Sequence, residues 1–147
     1  MAEQVKEASA VWQDGLAFEA TAGSGFTVRM DSPAGGSGFS PMELVLVGLA
    51  GCTGMDVIDV LRKKRQAVTG LSIQVQGQRA EAHPRQYTAI RIVYVVTGHQ
   101  VEAEAVRRAI ELSETKYCSV SATLRGTAQI TSAFEVREAG PSEPAAS

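Results

Sequence analysis

A long apolar segment, which begins near Met42 and contains Cys52, limits the folds open to this chain more than any other feature of its sequence. Between these two residues the only charged side chain is that of Glu43. A helix without a polar face has to be buried on nearly every side, so we expect this half of the segment to form a core helix. Charged residues then interrupt the apolar run before it reaches the about 18 residues of a membrane span; they are Asp56, Asp59 and Arg62. We therefore expect no membrane attachment.

The residues around Ser40 are typical of a helix start. Ser40 can cap the helix, Pro41 suits its first position, and Glu43 at the third position can bond back to the cap. The helix should run to about Arg65. Glu43 also lies nine residues before Cys52, about half a turn out of phase on an α-helix, which favours the capping role over a catalytic one.

Gly48, Gly51 and Gly54 lie within the same predicted helix. Each glycine costs about 1 kcal/mol relative to alanine in a helix interior, so a compensating close approach is expected. Close packing of the helix on a sheet is one explanation. The other is a homodimer in which two copies of the helix cross, so that a backbone or a substrate can come near the Cys52 thiol.

The length and composition fit one domain. The chain has 147 residues, of which 44% are hydrophobic, enough for one core. We expect a domain over residues 3–137 and a disordered tail over residues 138–147, which are small, polar and rich in proline. The net charge of -2 and the lack of a basic stripe argue against a nucleic-acid partner. The N-terminus lacks the pattern of a secretory signal, so we expect a cytoplasmic protein whose partners are small molecules or a second copy of the chain.

The remaining sequence predicts strands and a second helix. Alternating apolar residues indicate strands in the first third, with a hairpin turn at Asp14 and Gly15. Two further strands, at about residues 71–81 and 87–96, should form a hairpin, and a last strand lies near residues 128–136. Between them, residues 101–115 place apolar side chains at helical spacing beneath a charged face. Antiparallel strands with two helices indicate an α+β fold.

Two cysteines are the candidate reactive groups. In a reducing cytosol a lasting disulfide is not expected, so a transient bond or a reactive thiol is the better explanation. Cys52, if simply buried, would be an inert thiol with a raised pKa. Cys118 precedes a short predicted helix whose first amides would favour a thiolate, so by this argument alone it is the better nucleophile. The sequence leaves open whether the two sulfur atoms meet.

Asp56 lies four residues after Cys52 and so on the same face of the predicted helix. It could orient a water or a cation near the thiol, but its place in the second half of the helix favours a side chain turned toward solvent. His83 and His99 lack the paired spacing of metal ligands, and the cysteines do not form a CxxC motif. We expect no metal and no cofactor.

Both cysteine motifs resemble those of a known family. The stretch SPMELVLVGLAGC, followed by a hairpin, a charged helix and the stretch KYCSVSATL, is similar to the OsmC/Ohr family of osmotically inducible and organic hydroperoxide resistance proteins. The order of elements agrees from about Val5 to Arg137. The resemblance implies an OsmC-like α+β fold with antiparallel sheets, a long buried central helix and a second helix. It also implies an intertwined homodimer with active sites at the subunit interface.

The resemblance further implies an activity and a role for each cysteine. The activity is that of a metal-free, cysteine-based peroxidase that reduces organic hydroperoxides to alcohols and takes its electrons from an external dithiol. Cys52 corresponds to the peroxidatic cysteine and Cys118 to the resolving one. The first would become a sulfenic acid, and the second would condense with it to a disulfide.

Two positions depart from the family pattern. Met42 replaces the glutamate that follows the helix-start proline in the hydroperoxide reductases, which leaves Glu43 as the candidate one position later. Gln13 replaces the activating arginine of the first hairpin loop, and Arg29 on the third strand is a candidate substitute. A thiolate in apolar surroundings needs such a cation or hydrogen-bond donors. The alternative function is therefore a non-catalytic protein that binds small molecules or thiols on the same dimeric scaffold.

Overall fold

The computed structural model describes residues 4–141 and residue 144. The chain divides into two compact units, residues 1–45 and residues 46–147. The single domain over residues 3–137 stays a prediction, and its first residue lies outside the described residues.

The first unit contains a three-stranded antiparallel sheet. Its strands are β1 (Ala8–Asp14), β2 (Ala17–Ala22) and β3 (Thr27–Met30), in the order β1-β2-β3. The turn predicted at Asp14 and Gly15 joins β1 to β2, and Gly15 has a φ of 53°, which suits a residue without a Cβ. The strands predicted for this third of the chain are therefore confirmed.

The long helix α1 spans Pro41–Lys63. The predicted capping box is present, because the Ser40 amide donates to Glu43 Oε1 at 2.8 Å and the Glu43 amide donates to Ser40 Oγ at 3.3 Å. The helix ends two residues before the predicted Arg65, which itself has a left-handed φ of 58°. The Gln66 amide closes this end by donating to the Leu61 carbonyl at 3.0 Å.

Burial along α1 is confined to one stripe of four residues: Leu49, Thr53, Val57 and Leu61. On another side Val47 is 51% exposed and Met55 is 72% exposed. The single chain therefore differs from the prediction of a helix buried on nearly every side, because its own sheet covers one stripe only. Length and composition alone would also let α1 cross a membrane, despite the charged residues in its second half.

The second unit contains a mixed sheet made of β4 (Ala67–Arg79), β5 (Tyr87–His99) and β6 (Gln129–Glu138), in that order. The predicted hairpin of β4 and β5 is confirmed as an antiparallel pair. β6 pairs with β5 in parallel, which corrects the expectation of antiparallel strands throughout. A parallel pair needs a crossover, and the helices between β5 and β6 provide it. Alternate residues of β5 are buried: Ile90, Ile92, Tyr94 and Val96.

The crossover is made of three short helical pieces. The helix α2 (Ala103–Leu112) is followed by one π-helical turn (Ser113–Tyr117) and by α3 (Ser119–Leu124). The predicted second helix thus ends as an α-helix at Leu112, and the Cys118 amide closes the wider turn by donating to the Ser113 carbonyl at 2.8 Å.

The predicted disordered tail needs a correction at its start. Glu138 belongs to β6, and the Ala139 amide donates to the Gly98 carbonyl at 2.8 Å. These first two residues of the tail are therefore paired with the sheet. Residues 142–143 and 145–147 lie outside the described residues.

Candidate active site

The fold brings Cys52, Asp56 and Cys118 together. The two sulfur atoms and a carboxylate oxygen of Asp56 all lie within 4.8 Å of one another. Cys52 and Asp56 lie one turn apart on α1. Cys118 directly follows the π-helical turn, which places it next to them. The question that the sequence left open is therefore answered, because the two thiols are neighbours within one chain.

Both cysteines are free thiols in this structure. A disulfide bond is about 2.05 Å long, so only a small side-chain movement separates the observed pair from a bond.

Cys118 is the more enclosed of the two thiols. It is 3% exposed, and its Sγ accepts a hydrogen bond from the Ser121 amide at 3.4 Å at the start of α3. Burial nevertheless raises the pKa of Cys118, because the loss of solvent around a thiolate outweighs the contribution of the amide, and the adjacent Cys52 raises it further. This corrects the argument that the helix start makes Cys118 the better nucleophile.

Asp56 faces the thiols rather than bulk solvent alone, which corrects the expectation for this residue. It is half-buried, and Ser113 Oγ donates a hydrogen bond to its Oδ2 at 2.9 Å. Asp56 also lines a surface pocket of about 400 Å³ next to Lys63 and Tyr117. A carboxylate oxygen within 4.8 Å of both sulfur atoms can reach either thiol through one bridging water.

A row of hydroxyl groups continues inward from Asp56. Ser113 Oγ lies 2.7 Å from Thr53 Oγ1, which lies 2.8 Å from the Tyr94 hydroxyl. The Tyr94 hydroxyl donates to Glu114 Oε1 at 3.3 Å. Burial raises the pKa of both Tyr94 and Glu114, because their ionised forms would lose solvation.

Sequence reasoning missed this row, although part of it carries a signal. Asp56 follows Cys52 by four positions, and Glu114 precedes Cys118 by four, so each acid shares a local segment with a thiol. The contact of Thr53 with Tyr94 joins residues 41 positions apart and has no counterpart in local sequence.

The two weaker candidates are engaged within the first unit. Glu43 holds the cap of α1, and the Ser40 amide lowers the pKa of its carboxyl. Arg29 Nε donates to Ser37 Oγ at 2.9 Å, and Arg29 forms an ion pair with Asp14 at 3.7 Å. These contacts give both residues structural roles, so a part in catalysis stays a prediction.

The three side chains of the site also have the donors of a metal ligand set. Two thiolates and one carboxylate oxygen are ligand types that zinc accepts, and each of Cys52, Asp56 and Cys118 offers one such atom. Neither His83 nor His99 belongs to this group of three.

Comparison with known proteins identifies the family. Residues 34–133 match the sequence profile of the family described as OsmC-like protein. The chain belongs to the OsmC-like family. Protein YhfA of Escherichia coli K12 is 38% identical over 130 residues, which cover 88% of this chain and 97% of YhfA.

Two solved structures superimpose on most of this chain. A protein from Aquifex aeolicus VF5 has a TM-score of 0.86 at 34% identity, with 94% of this chain and 100% of that chain covered. An organic hydroperoxide resistance protein OsmC from Legionella pneumophila has a TM-score of 0.69 at 15% identity, with 92% of this chain and 100% of that chain covered. At this lower identity the likeness shows the fold alone.

Both the OsmC/Ohr resemblance and the α+β class predicted from the sequence are thereby confirmed. Family membership also bears on α1, because the OsmC-like fold indicates a soluble protein in which this apolar helix belongs to the protein core.

Proposed function

We propose that this OsmC-like protein is a thiol peroxidase that reduces organic hydroperoxides, with Cys52 as the attacking thiol and Cys118 as the resolving thiol. The observation that carries the proposal is the approach of both sulfur atoms and an Asp56 oxygen to within 4.8 Å of one another. Relatives in fold that are named organic hydroperoxide resistance proteins support the choice of substrate class.

The first step oxidises Cys52. Its thiolate attacks the outer oxygen of the hydroperoxide, the O–O bond breaks, and the alkoxide leaves. The proton that Cys52 lost has to reach the alkoxide, and Asp56, with a carboxylate oxygen within 4.8 Å of both sulfur atoms, would take it and return it through one bridging water. The products are a sulfenic acid on Cys52 and an alcohol.

The second step forms the disulfide. Cys118 attacks the sulfenic sulfur, and hydroxide leaves with the Cys118 proton as water. Burial of Cys118 keeps it as a thiol until this step, so it does not compete with Cys52 for the peroxide. An external dithiol then reduces the disulfide by thiol exchange and regenerates both thiols.

The proposal includes a homodimer in the cytoplasm. The exposed side of α1 is apolar, since Val47 and Met55 border an open groove together with Leu71 and Ile73 of β4. A Cβ placed on Gly48 or Gly51 would meet nothing within 4 Å in the single chain. A second copy of the chain on this side would bury the apolar surface and explain the glycines.

A non-catalytic binding protein is the second candidate. Its support is that Glu43 and Arg29 both hold structural contacts in the first unit. The pocket beside Asp56 would then receive a small molecule or thiol. This candidate predicts that neither cysteine is needed for ligand binding.

Turnover of cumene hydroperoxide with dithiothreitol tests the proposal. Wild-type protein should consume the peroxide catalytically, whereas Cys52→Ser should reduce consumption to the rate of dithiothreitol alone. Ser119→Ala, at an exposed position next to Cys118, is the matched control and should keep full activity. Wild-type protein that is no faster than Cys52→Ser would favour the binding protein.

A further inference from the structure

We propose that Cys52, Cys118 and Asp56 of the reduced protein bind a single thiophilic divalent cation such as Zn²⁺, and that the bound ion prevents the two thiols from forming a disulfide. The binding site stands independently of the proposed peroxidase. Only the effect of the ion on the reaction with peroxide rests on that proposed function.

The three ligand atoms lie close enough together to hold one ion. All of them are within 4.8 Å of one another. Zinc–sulfur bonds are about 2.3 Å long and zinc–carboxylate bonds about 2.1 Å, so tetrahedral angles separate two ligand atoms by about 3.6–3.8 Å. The observed limit exceeds this separation by about 1 Å, a distance that rotation of the three side chains can close.

The donor set selects the class of cation. Two thiolates favour soft or borderline ions, whereas Mg²⁺ and Ca²⁺ prefer sites made of oxygen atoms. Three protein ligands also leave one tetrahedral position for water or a small molecule. The expectation of no metal rested on local sequence spacing, which does not include Cys118, because this residue reaches the pair on α1 only in the folded chain.

The charges at the site also favour a bound cation. Cys52, Cys118 and Asp56 each carry a negative charge when ionised, and they converge in buried or half-buried positions. Lys63 lines the pocket beside Asp56 but pairs with Asp59 at 2.8 Å. Within the part of the chain that the structure describes, no lysine or arginine forms an ion pair with Asp56. Three neighbouring negative charges repel one another, and a divalent cation would offset two of them.

Ser113 holds two of the three ligands in place. Its hydroxyl donates to Asp56 Oδ2 at 2.9 Å, and its backbone carbonyl accepts from the Cys118 amide at 2.8 Å. Ser113 is 0% exposed, so water does not compete for these contacts. The Ser121 amide adds a hydrogen bond to Cys118 Sγ at 3.4 Å. Contacts of this kind orient metal ligands, and their loss lowers metal affinity by about 10- to 100-fold.

Binding of the ion replaces the thiol protons. The two thiols release their protons to solvent, and the two thiolates and the Asp56 carboxylate bond to the ion, so no electrons move. The Cys52 thiolate then shares its electron pair with the ion and is not free to attack an O–O bond. A disulfide between Cys52 and Cys118 removes both thiolate ligands, so oxidation of the pair releases the ion.

Competition with a chromogenic zinc chelator measures the affinity of the reduced protein for Zn²⁺. Wild type should withhold one equivalent of Zn²⁺ from the chelator. Asp56→Asn keeps an acceptor for Ser113 but loses the charge, and it should weaken binding by more than about tenfold. Asp59→Asn is the matched control, because Asp59 lines the same pocket at an exposed position, and it should bind as wild type does. Equal affinities of Asp56→Asn and wild type, or equal losses in the two variants, would overturn the site.

Cobalt substitution tests the ligands in wild type itself, so the result does not depend on how a variant folds. Reduced protein with one equivalent of Co²⁺ should show sulfur-to-cobalt charge-transfer absorption in the near ultraviolet and intense visible bands typical of a tetrahedral ion. Cys118→Ser should lower the charge-transfer absorption, whereas Ser119→Ala, at an exposed position, should keep it. Weak visible bands without charge transfer in wild type would overturn the site.

Reactivity of the thiols connects the ion to the redox pair. Alkylation of Cys52 in wild type should slow by about tenfold or more when Zn²⁺ is added, because alkylation needs a free thiolate, and it should recover on addition of EDTA. Excess Mg²⁺ should leave the rate unchanged. An alkylation rate that Zn²⁺ does not change would contradict a bond between the ion and Cys52.

Release of the ion separates the site from the proposed function. Conversion of the Zn²⁺-loaded wild type to the disulfide should transfer the ion to the chelator, and retention of the ion by the disulfide form would contradict the ligand set. Zn²⁺ binding without peroxide turnover in the metal-free wild type would reject the proposed function alone. Turnover in a protein that does not bind Zn²⁺ would reject the site alone.

Discussion

Cys52 and Cys118 are neighbours in space but differ in almost every property of their surroundings. Cys52 lies half-buried on a long helix, beside glycines that leave open space. Cys118 is enclosed, caps a short helix and has its pKa raised by burial. In the proposed reaction this difference separates the roles of the two thiols. Access would favour reaction of Cys52 with the peroxide, and enclosure would keep Cys118 protonated until a sulfenic acid forms beside it.

The largest expected effect is a complete loss of peroxide consumption when Cys52, but not Cys118, is replaced by serine. Without a reductant, Cys118→Ser should consume one equivalent of cumene hydroperoxide per chain and then stop, with a sulfenic acid on Cys52 that dimedone traps. Cys52→Ser should consume none on this timescale, because its remaining thiol is enclosed. If Cys52→Ser consumed peroxide as fast as Cys118→Ser, the proposed difference in role between the two cysteines would be wrong.

Removal of the Ser113 hydroxyl should have the next largest effect. Ser113→Ala leaves Asp56 and Thr53 without their shared partner, and a lost partner for buried polar groups costs about 1–3 kcal/mol of unfolding free energy. Ser119→Ala, at an exposed neighbouring serine, should change the free energy by less than about 0.5 kcal/mol. Urea denaturation measures both variants, and equal stabilities would show that the hydroxyl row adds nothing to the fold around Cys118.

The pH dependence of the alkylation rate tests whether Cys118 ionises less readily than a free cysteine. Because burial raises the pKa of Cys118, its thiolate fraction at neutral pH is smaller than that of a free cysteine. In Cys52→Ser the alkylation rate of Cys118 should therefore keep rising above pH ~8.5, the value near which a free thiol levels off. A rate that levels off at lower pH would remove the distinction between the two settings.

The smallest expected effect concerns the open side of the helix that carries Cys52. In an isolated chain Gly51→Ala should stabilise α1 by about 1 kcal/mol, since nothing lies within 4 Å of the added Cβ. If a second copy packs closely there, the same change should weaken dimerisation by about fivefold. Sedimentation equilibrium measures this, with Gly126→Ala as the control, since a Cβ there also meets nothing within 4 Å. Unchanged dimerisation in Gly51→Ala would contradict the proposed interface.

Local sequence predicted those parts of the molecule that neighbouring residues determine. The capping box of Ser40 and Glu43, the turn at Gly15 and the hairpin of β4 and β5 depend on contacts within or between adjacent elements. The parallel pairing of β6 could not be read in this way, because it depends on how the crossover helices return to the sheet.

The candidate site was likewise predictable from the sequence only in part. Both cysteines stood out as reactive residues, but their proximity and the inward position of Asp56 depend on contacts such as the bond to Ser113, 57 positions away. The sequence argument predicted a lowered pKa for Cys118, whereas the structure raises it, and the reason is physical. A helix start is visible in sequence, whereas the burial that outweighs it is a property of the packed chain.

Peptide mass spectrometry of the wild-type protein after one equivalent of cumene hydroperoxide, without reductant, tests the central claim most directly. A disulfide should form between Cys52 and Cys118 of the same chain and should be lost on addition of dithiothreitol. A product in which Cys52 carries sulfinic acid while Cys118 stays a free thiol would contradict the claim that the two sulfurs form one redox pair.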